Sequence, residues 1–196
     1  MKSEVPQIAL TWGREPFKHQ PTMAEFHCAY KNTLDTSEVG TAKTMPMVVT
    51  LQYLFSMGRA KKILVVTPNS ILENWENELK LSSTLRFITL RGTRDKRIAL
   101  LQQQNLADVY LINYEGVRTV IEHLLSAGFD TIVADEIHHL KGWSSLQSKC
   151  ALKLAKLAEC RKGMTGTILT NDLMDLWSIA QFIDPAIFAT NFWGFR

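Results

Sequence analysis

The chain has 196 residues, 46% of them hydrophobic and 21% charged, with 22 Lys and Arg against 19 Asp and Glu for a formal charge of +3. That balance excludes a fibrous or disordered chain and fits one compact domain able to bury its own core. The longest strongly apolar uncharged run, Thr44 to Gly58, is too short and too polar to span a bilayer, so no membrane partner is expected.

Taken in chain order, short β-branched runs alternate with longer amphipathic ones. Pro16 to Lys31 is predicted helical, since Gln20, Met23, Phe26, His27 and Tyr30 recur at helical spacing. Lys43 to Met57 is a second helix, and Pro46 is tolerated in its first turn. Lys62 to Thr67 is nearly all apolar, as a strand covered on both faces should be. Pro68 ends it, and Asn69 or Ser70 is placed to cap a helix over 71–80. In that helix Trp75 shares a face with Leu72 and Leu79 and reads as core.

Further on, Arg86 to Leu90 is a strand, 94–104 a helix, Val109 to Ile112 a strand, and 114–125 a helix. Thr131 to Ala134 is a strand that runs directly into Asp135 and Glu136. Leu146 to Ala158 is a helix, 162–166 a short strand, and 172–182 a helix with Asn171 as its N-cap. Such alternation predicts an α/β fold with a mostly parallel sheet and helices on both faces. Chemistry in these sheets lies beyond the C-terminal ends of the strands.

Basic residues gather twice: Arg86, Arg91, Arg94, Lys96 and Arg97, and then Lys141, Lys149, Lys153, Lys156, Arg161 and Lys162. Each patch fits either phosphate contacts or a solvated helix face. Cys28, Cys150 and Cys160 form no CxxC pair, and an odd count reads as reduced thiols. The first ten residues lack a signal-peptide apolar core, so an intracellular chain is expected, cytoplasmic or nuclear.

Two stretches carry chemistry. Glu38-Val-Gly-Thr-Ala-Lys-Thr44 stands directly before a helix. A phosphate loop needs small residues so that backbone N–H groups wrap the anion, a Lys for the outer phosphates, and a hydroxyl for Mg²⁺. Gly40, Thr41, Lys43 and Thr44 fit, while Ala42 stands where the standard loop has Gly. By itself the stretch also fits a plain helix start. Ile132 to His138 delivers Asp135 and Glu136 from a strand, fitting a metal-holding carboxylate and a water-activating one, or merely a charged turn. Together the two stretches are complementary halves of a Mg·ATP site, since Mg²⁺ takes hard oxygen ligands and phosphate oxygens.

With those residues in view, the chain resembles the N-terminal RecA-like lobe of the SNF2-type (Swi2/Snf2) branch of superfamily 2 helicase-like ATPases. The resemblance covers about residues 14 to 196. Pro16 to Gln20 resembles the opening segment, in which Gln20 would lie near adenine. Glu38 to Thr44 resembles motif I, Leu64 to Trp75 motif Ia, and Leu111 to Tyr114 motif Ib. Asp135 to Lys141 resembles motif II, a DEAH-type box, and Gly163 to Asn171 motif III. Leu176 to Phe188 resembles the run that closes this lobe.

The resemblance implies a P-loop NTPase fold spanning 1–196 as one lobe, with ATP and Mg²⁺ as cofactors and double-stranded DNA as partner. Lys43, Asp135 and Glu136 would be catalytic. Gln20, Gly40, Thr41, Ala42, Lys43 and Thr44 would bind the nucleotide, and Thr44 and Asp135 the metal. His138, Thr165 and Thr167 would couple nucleotide state to lobe movement. Thr67, Pro68, Asn113 and Lys141 would lie along DNA. His139 reads as a surface or packing histidine, with no third ligand beside it for zinc.

Departures from the family pattern are concentrated in motif I. Ala42 replaces Gly, Ser37 replaces Asp, and the stretch 31–36, which should be an apolar strand, is mostly polar. Ile137 and Ile168 are milder changes. The family continues into a second RecA-like lobe beyond the position of Arg196, and this chain alone is expected to be nearly inactive without it, in cis or trans. The expected function is the ATP-binding lobe of a DNA-dependent translocase. The alternatives are a non-catalytic nucleic-acid- or partner-binding module on the same fold and, more distantly, a kinase- or GTPase-type P-loop protein.

Overall fold

The computed structural model describes residues 10–167 and 174–188. Six strands form one sheet: β1 (Asn32–Asp35), β2 (Ile63–Thr67), β3 (Phe87–Thr89), β4 (Val109–Asn113), β5 (Thr131–Asp135) and β6 (Cys160–Met164). Their order across the sheet is β1-β6-β5-β2-β4-β3, and every pairing is parallel. The helices are α1 (Gln20–Ala29), α2 (Thr44–Ser56), α3 (Leu72–Ser82), α4 (Arg94–Gln102), α5 (Tyr114–Thr119), α6 (Ile121–Ser126), α7 (Leu146–Leu157) and α8 (Met174–Ile183).

Strand alternation divides the core. Leu64, Val66, Tyr110, Ile112, Ile132 and Ala134 point to one face, where Val117, Leu154 and Phe182 cover them. Ile63, Val65, Val109, Leu111 and Val133 point to the other, against Met47, Leu51, Trp75 and Leu79 from α2 and α3. Each such fully buried aliphatic side chain contributes about 1.5–3 kcal/mol relative to exposure. Because all strands run the same way, their carboxyl ends share one edge. Register places Asp35 and Asp135 on either side of Met164, and Val66 beside Ala134.

The polar strand predicted to be out of place does form, as β1. Its inward residues are satisfied by α1 rather than by apolar packing. His27 is buried, with Nδ1 2.6 Å from the Thr33 hydroxyl and Nε2 3.5 Å from Asp35. Burial pushes the imidazole below its ordinary value. Burial would raise the Asp35 carboxyl, but hydrogen bonds from His27 and Ser37 overcome it and hold the group down at about 2. The edge strand is thereby held by a buried polar latch.

Several local expectations are corrected. The helix predicted over 114–125 is two helices, broken at Val120 (φ −128°, ψ 23°), within a run rich in β-branched residues whose buried Val120 belongs to the core. Neither Asn69 nor Ser70 caps α3; residues Asn69–Ile71 form a 3₁₀ turn instead. The strand expected over 162–166 is β6, which begins two residues earlier at Cys160 and ends at Met164. Lys162 does not join the second basic patch. It is fully buried, its ammonium donates to the carbonyls of His27 and Tyr30 at the end of α1, and burial lowers it to about 8. In the first patch Arg86 pairs with Asp108 and Arg91 with Glu76. Asn171 lies outside the described residues. Among the described residues no helix is long and apolar enough to cross a membrane.

Candidate active site

The loop after β1 turns through Gly40 (φ 86°) and Ala42 (φ 51°) before α2 starts at Thr44. Position 42 therefore has the left-handed backbone that its family Gly supplies freely. An L-residue there costs roughly 1–2 kcal/mol. The loop nonetheless forms. Lys43 Nζ donates to the carbonyls of Ser37 and Glu38, each at 2.7 Å, and to the Thr41 hydroxyl at 3.3 Å. Ser37 donates its backbone N–H and hydroxyl to Asp35 at 2.9 and 2.6 Å, tying the loop to the latch below it.

Gln20 and His19 brace the same loop from α1. Gln20 is buried, accepts from the Phe17 N–H at 2.8 Å, and donates to the Ala42 carbonyl at 3.1 Å. His19 Nε2 lies 3.0 Å from the Thr41 carbonyl. From the far side Gly166 presses on the loop: a Cβ there would fall 2.5 Å from Val39 Cγ2.

β5 delivers the carboxylates. Asp135 is buried; its Oδ2 accepts from Trp75 Nε1 at 2.7 Å and from the Thr67 hydroxyl at 3.2 Å, and its Oδ1 from the Glu136 N–H at 2.9 Å. Burial raises its carboxyl, with Glu136 adding to the rise and the Trp75 and Thr67 donors opposing it. Glu136 is itself left-handed (φ 49°, ψ 51°), which turns the chain sharply out of the strand. It remains partly exposed, 3.1 Å from His138 Nδ1.

Loop and carboxylates meet. Val39, Gly40, Ala42, Lys43, Thr44, Ile71, Asp135 and Glu136 line one cleft of about 310 Å³. Its donor set of one hydroxyl and carboxylate oxygens suits Mg²⁺. Among the described residues no cluster of three or more His, Cys, Asp and Glu that could hold a metal ion is present, in this cleft or elsewhere. Through the Ser37 and Glu38 carbonyls the Lys43 ammonium is held within the loop.

The expected coupling residues also converge. His138 Nδ1 lies 3.0 Å from the Thr165 hydroxyl, which sits 3.4 Å from Glu136 and also engages the backbone of Thr167. Burial keeps His138 below its ordinary value. His139 is an exposed residue whose ring stacks on those of His138 and Tyr114, and the Tyr114 hydroxyl donates to the Asp135 carbonyl at 2.7 Å.

The DNA-side expectations separate. Pro68 and Asn113 stand at the carboxyl ends of β2 and β4, Lys141 follows the 3₁₀ turn Ile137–Leu140, and all three are partly exposed. Asn113 caps α5 by accepting from the Gly116 N–H at 3.1 Å. Thr67 is fully buried and its hydroxyl donates to Asp135. Sequence reasoning missed two contributors, the Trp75 indole N–H and Asn74, whose Nδ2 donates to the Thr44 hydroxyl at 3.1 Å. The apolar spacing around Trp75 signalled burial but not a polar partner.

A parallel sheet whose carboxyl edge sets a Lys-Thr phosphate loop opposite an Asp-Glu pair, with a hydroxyl-bearing turn behind them, defines a RecA-like lobe of the helicase-like ATPase class. Within that class the chain belongs to the SNF2-related domain family, whose model matches residues 22–195. It is 32% identical over 163 residues to the transcription regulatory protein SNF2 of Saccharomyces cerevisiae, covering 80% of this chain and 9% of that protein. It is 31% identical over 127 residues to the mouse DNA excision repair protein ERCC-6-like 2, covering 65% of this chain and 8% of that protein. The fold matches the Sulfolobus solfataricus SWI2/SNF2 ATPase core in complex with dsDNA, with a TM-score of 0.83 at 22% identity over 95% of this chain and 39% of that one. The chain thus spans less than a tenth of the length of these two curated relatives.

Proposed function

We propose that this lobe binds Mg·ATP in the cleft between the phosphate loop and the carboxylate pair. Completed by a second RecA-like lobe in cis or trans, it would hydrolyse ATP to drive tracking along duplex DNA. The observation that carries the reading is the single cleft lined by Lys43, Thr44, Asp135 and Glu136, residues from opposite parts of the chain. Magnesium, when bound, would draw charge from the phosphates and fix their orientation.

The roles follow from position. Gly40, Thr41 and Ala42 shape the loop, Gln20 braces it beside the base, and Lys43 neutralises phosphate. Thr44 supplies a metal-facing hydroxyl and Asp135 holds the metal through water. Glu136 is partly exposed, and with its Oε2 engaged by His138 and Thr165 it would orient the attacking water through Oε1. His138, Thr165 and Thr167 would report its state to the facing lobe. Pro68, Asn113 and Lys141 would follow the DNA backbone. The lobe alone would turn over negligibly, because an arginine supplied by a partner domain contributes about 10³–10⁵ in related NTPases.

Ala42 favours a second reading, a binding module that keeps the fold without the ATP cycle, because a Cβ crowds the loop where phosphate passes. Equilibrium binding of a fluorescent ATP analogue in Mg²⁺ separates the two. Saturable binding that vanishes in Lys43→Ala supports the nucleotide site. No binding at high micromolar protein, with salt-dependent DNA binding indifferent to nucleotide, selects the second reading.

A further inference from the structure

We propose that the adjacent pair Asn74–Trp75 of α3 positions both metal-facing groups of the cleft, Asn74 holding the Thr44 hydroxyl and Trp75 the Asp135 carboxylate. The inference rests on the Mg·ATP reading above. It starts from helix geometry: consecutive residues project about 100° apart. Trp75 therefore enters the core between α3 and the sheet, while Asn74 stays at the exposed rim over the start of α2. One short segment thus touches two groups that arrive from different motifs, the first residue of α2 and the last residue of β5.

The hydrogen-bond inventory makes the contacts selective. A carboxylate offers about four acceptor positions. Trp75 and Thr67 both donate to Oδ2, and the Glu136 N–H donates to Oδ1. The open position is on Oδ1, so α3 fixes which oxygen is left for a metal-bound water. Trp75 is suited to this because its indole donates and never accepts. At Thr44, the Asn74 amide occupies one lone pair of the hydroxyl and leaves the other for a cation. A tryptophan needed only for packing would not require its N–H to be aimed at the one buried carboxylate of the cleft.

The test is a Mg²⁺ titration of fluorescent ATP-analogue binding to the 196-residue chain, comparing wild type with Asn74→Ala and Trp75→Phe, with binding in EDTA as the reference. Asn74 is exposed, so its variant retains the fold even where Trp75→Phe does not, and a thermal melt verifies both. The Mg²⁺ concentration for half-maximal enhancement should rise about fivefold in Asn74→Ala and about tenfold in Trp75→Phe, the size of one lost hydrogen bond to a ligand group. Affinity in EDTA should stay within about twofold. An unchanged Mg²⁺ requirement in folded Asn74→Ala overturns the proposal and leaves nucleotide binding standing. So does an equal loss of affinity with and without Mg²⁺, which marks a merely structural role. A wild-type chain whose binding ignores Mg²⁺ overturns the nucleotide reading and the proposal with it.

Discussion

The carboxylate pair leaves β5, an inner strand hydrogen-bonded on both sides and buried along its whole length. The phosphate loop leaves β1, a four-residue edge strand in which only Thr33 and Asp35 are buried. Asp135 is thus pinned by tertiary contacts from two other elements, the end of β2 and α3. The loop is held mainly from nearby in the chain, Ser37 on Asp35, Lys43 on Ser37 and Glu38, and His27 on Asp35, with His19 and Gln20 bracing it from 22 residues away. The comparison teaches that the two halves fail differently. Damage to the carboxylate half should spread through the core, while damage to the loop half should remain local.

Trp75→Ala is the strongest attempt to break that comparison. It empties a fully buried indole site and takes a donor from buried Asp135, so a loss of about 3–5 kcal/mol in urea unfolding is expected. A loss under about 1 kcal/mol would mean that the carboxylate half is not anchored in the core. Asp35→Ala should cost less, about 1–3 kcal/mol, by unpairing His27 and Ser37. Hydrogen exchange sharpens the contrast: amides of 36–43 should lose protection in Asp35→Ala while those of β5 keep theirs.

pH tests the latch with a smaller effect. The His27 imidazole is lowered in the fold by burial, with Lys162 also lowering it and Asp35 raising it, so the native state favours the neutral ring. The unfolded chain takes up a proton as pH falls through the ordinary imidazole value of 6.5, and stability from this group is therefore lost below that pH. Asp35 behaves as a depressed acid: its contribution is present above 3.8 and lost as pH falls toward about 2. Between pH 7 and 5 the wild type should lose stability more steeply than His27→Gln in parallel urea titrations, and equal slopes would remove the imidazole from the latch. The smallest effect is expected from Ala42→Gly. Relief of the left-handed strain, partly offset by the greater freedom of Gly when unfolded, should leave a gain of about 0.5 kcal/mol. ATP-analogue affinity should rise with it.

Much of this was legible in order along the chain. The apolar runs at 63–67, 109–112 and 131–134 announce buried parallel strands because each is covered on both faces, a demand that only continuous β-branched and aliphatic residues meet. Lys43, Thr44, Asp135 and Glu136 were readable because phosphate and magnesium chemistry restricts residue types at short spacing. Less legible were features satisfied by distant partners. Thr67 reads only as the end of a strand until Asp135 is found beside it, and Lys162 reads as part of a basic patch until the carbonyls of His27 and Tyr30 enclose it. The polar strand β1 looks like a defect until His27 is placed against it.

The sequence by itself determined the α/β order, the two chemical half-sites and the family, since all three depend on local periodicity and contiguous motifs. Only the tertiary structure decided that Ala42 takes the left-handed backbone, that His27 secures the edge strand, and that α3 places an amide on the Thr44 hydroxyl and an indole on the Asp135 carboxylate. Those outcomes depend on which buried donors find which acceptors across the sheet. That pairing is set by burial and register, and neither is written in the spacing of any one segment.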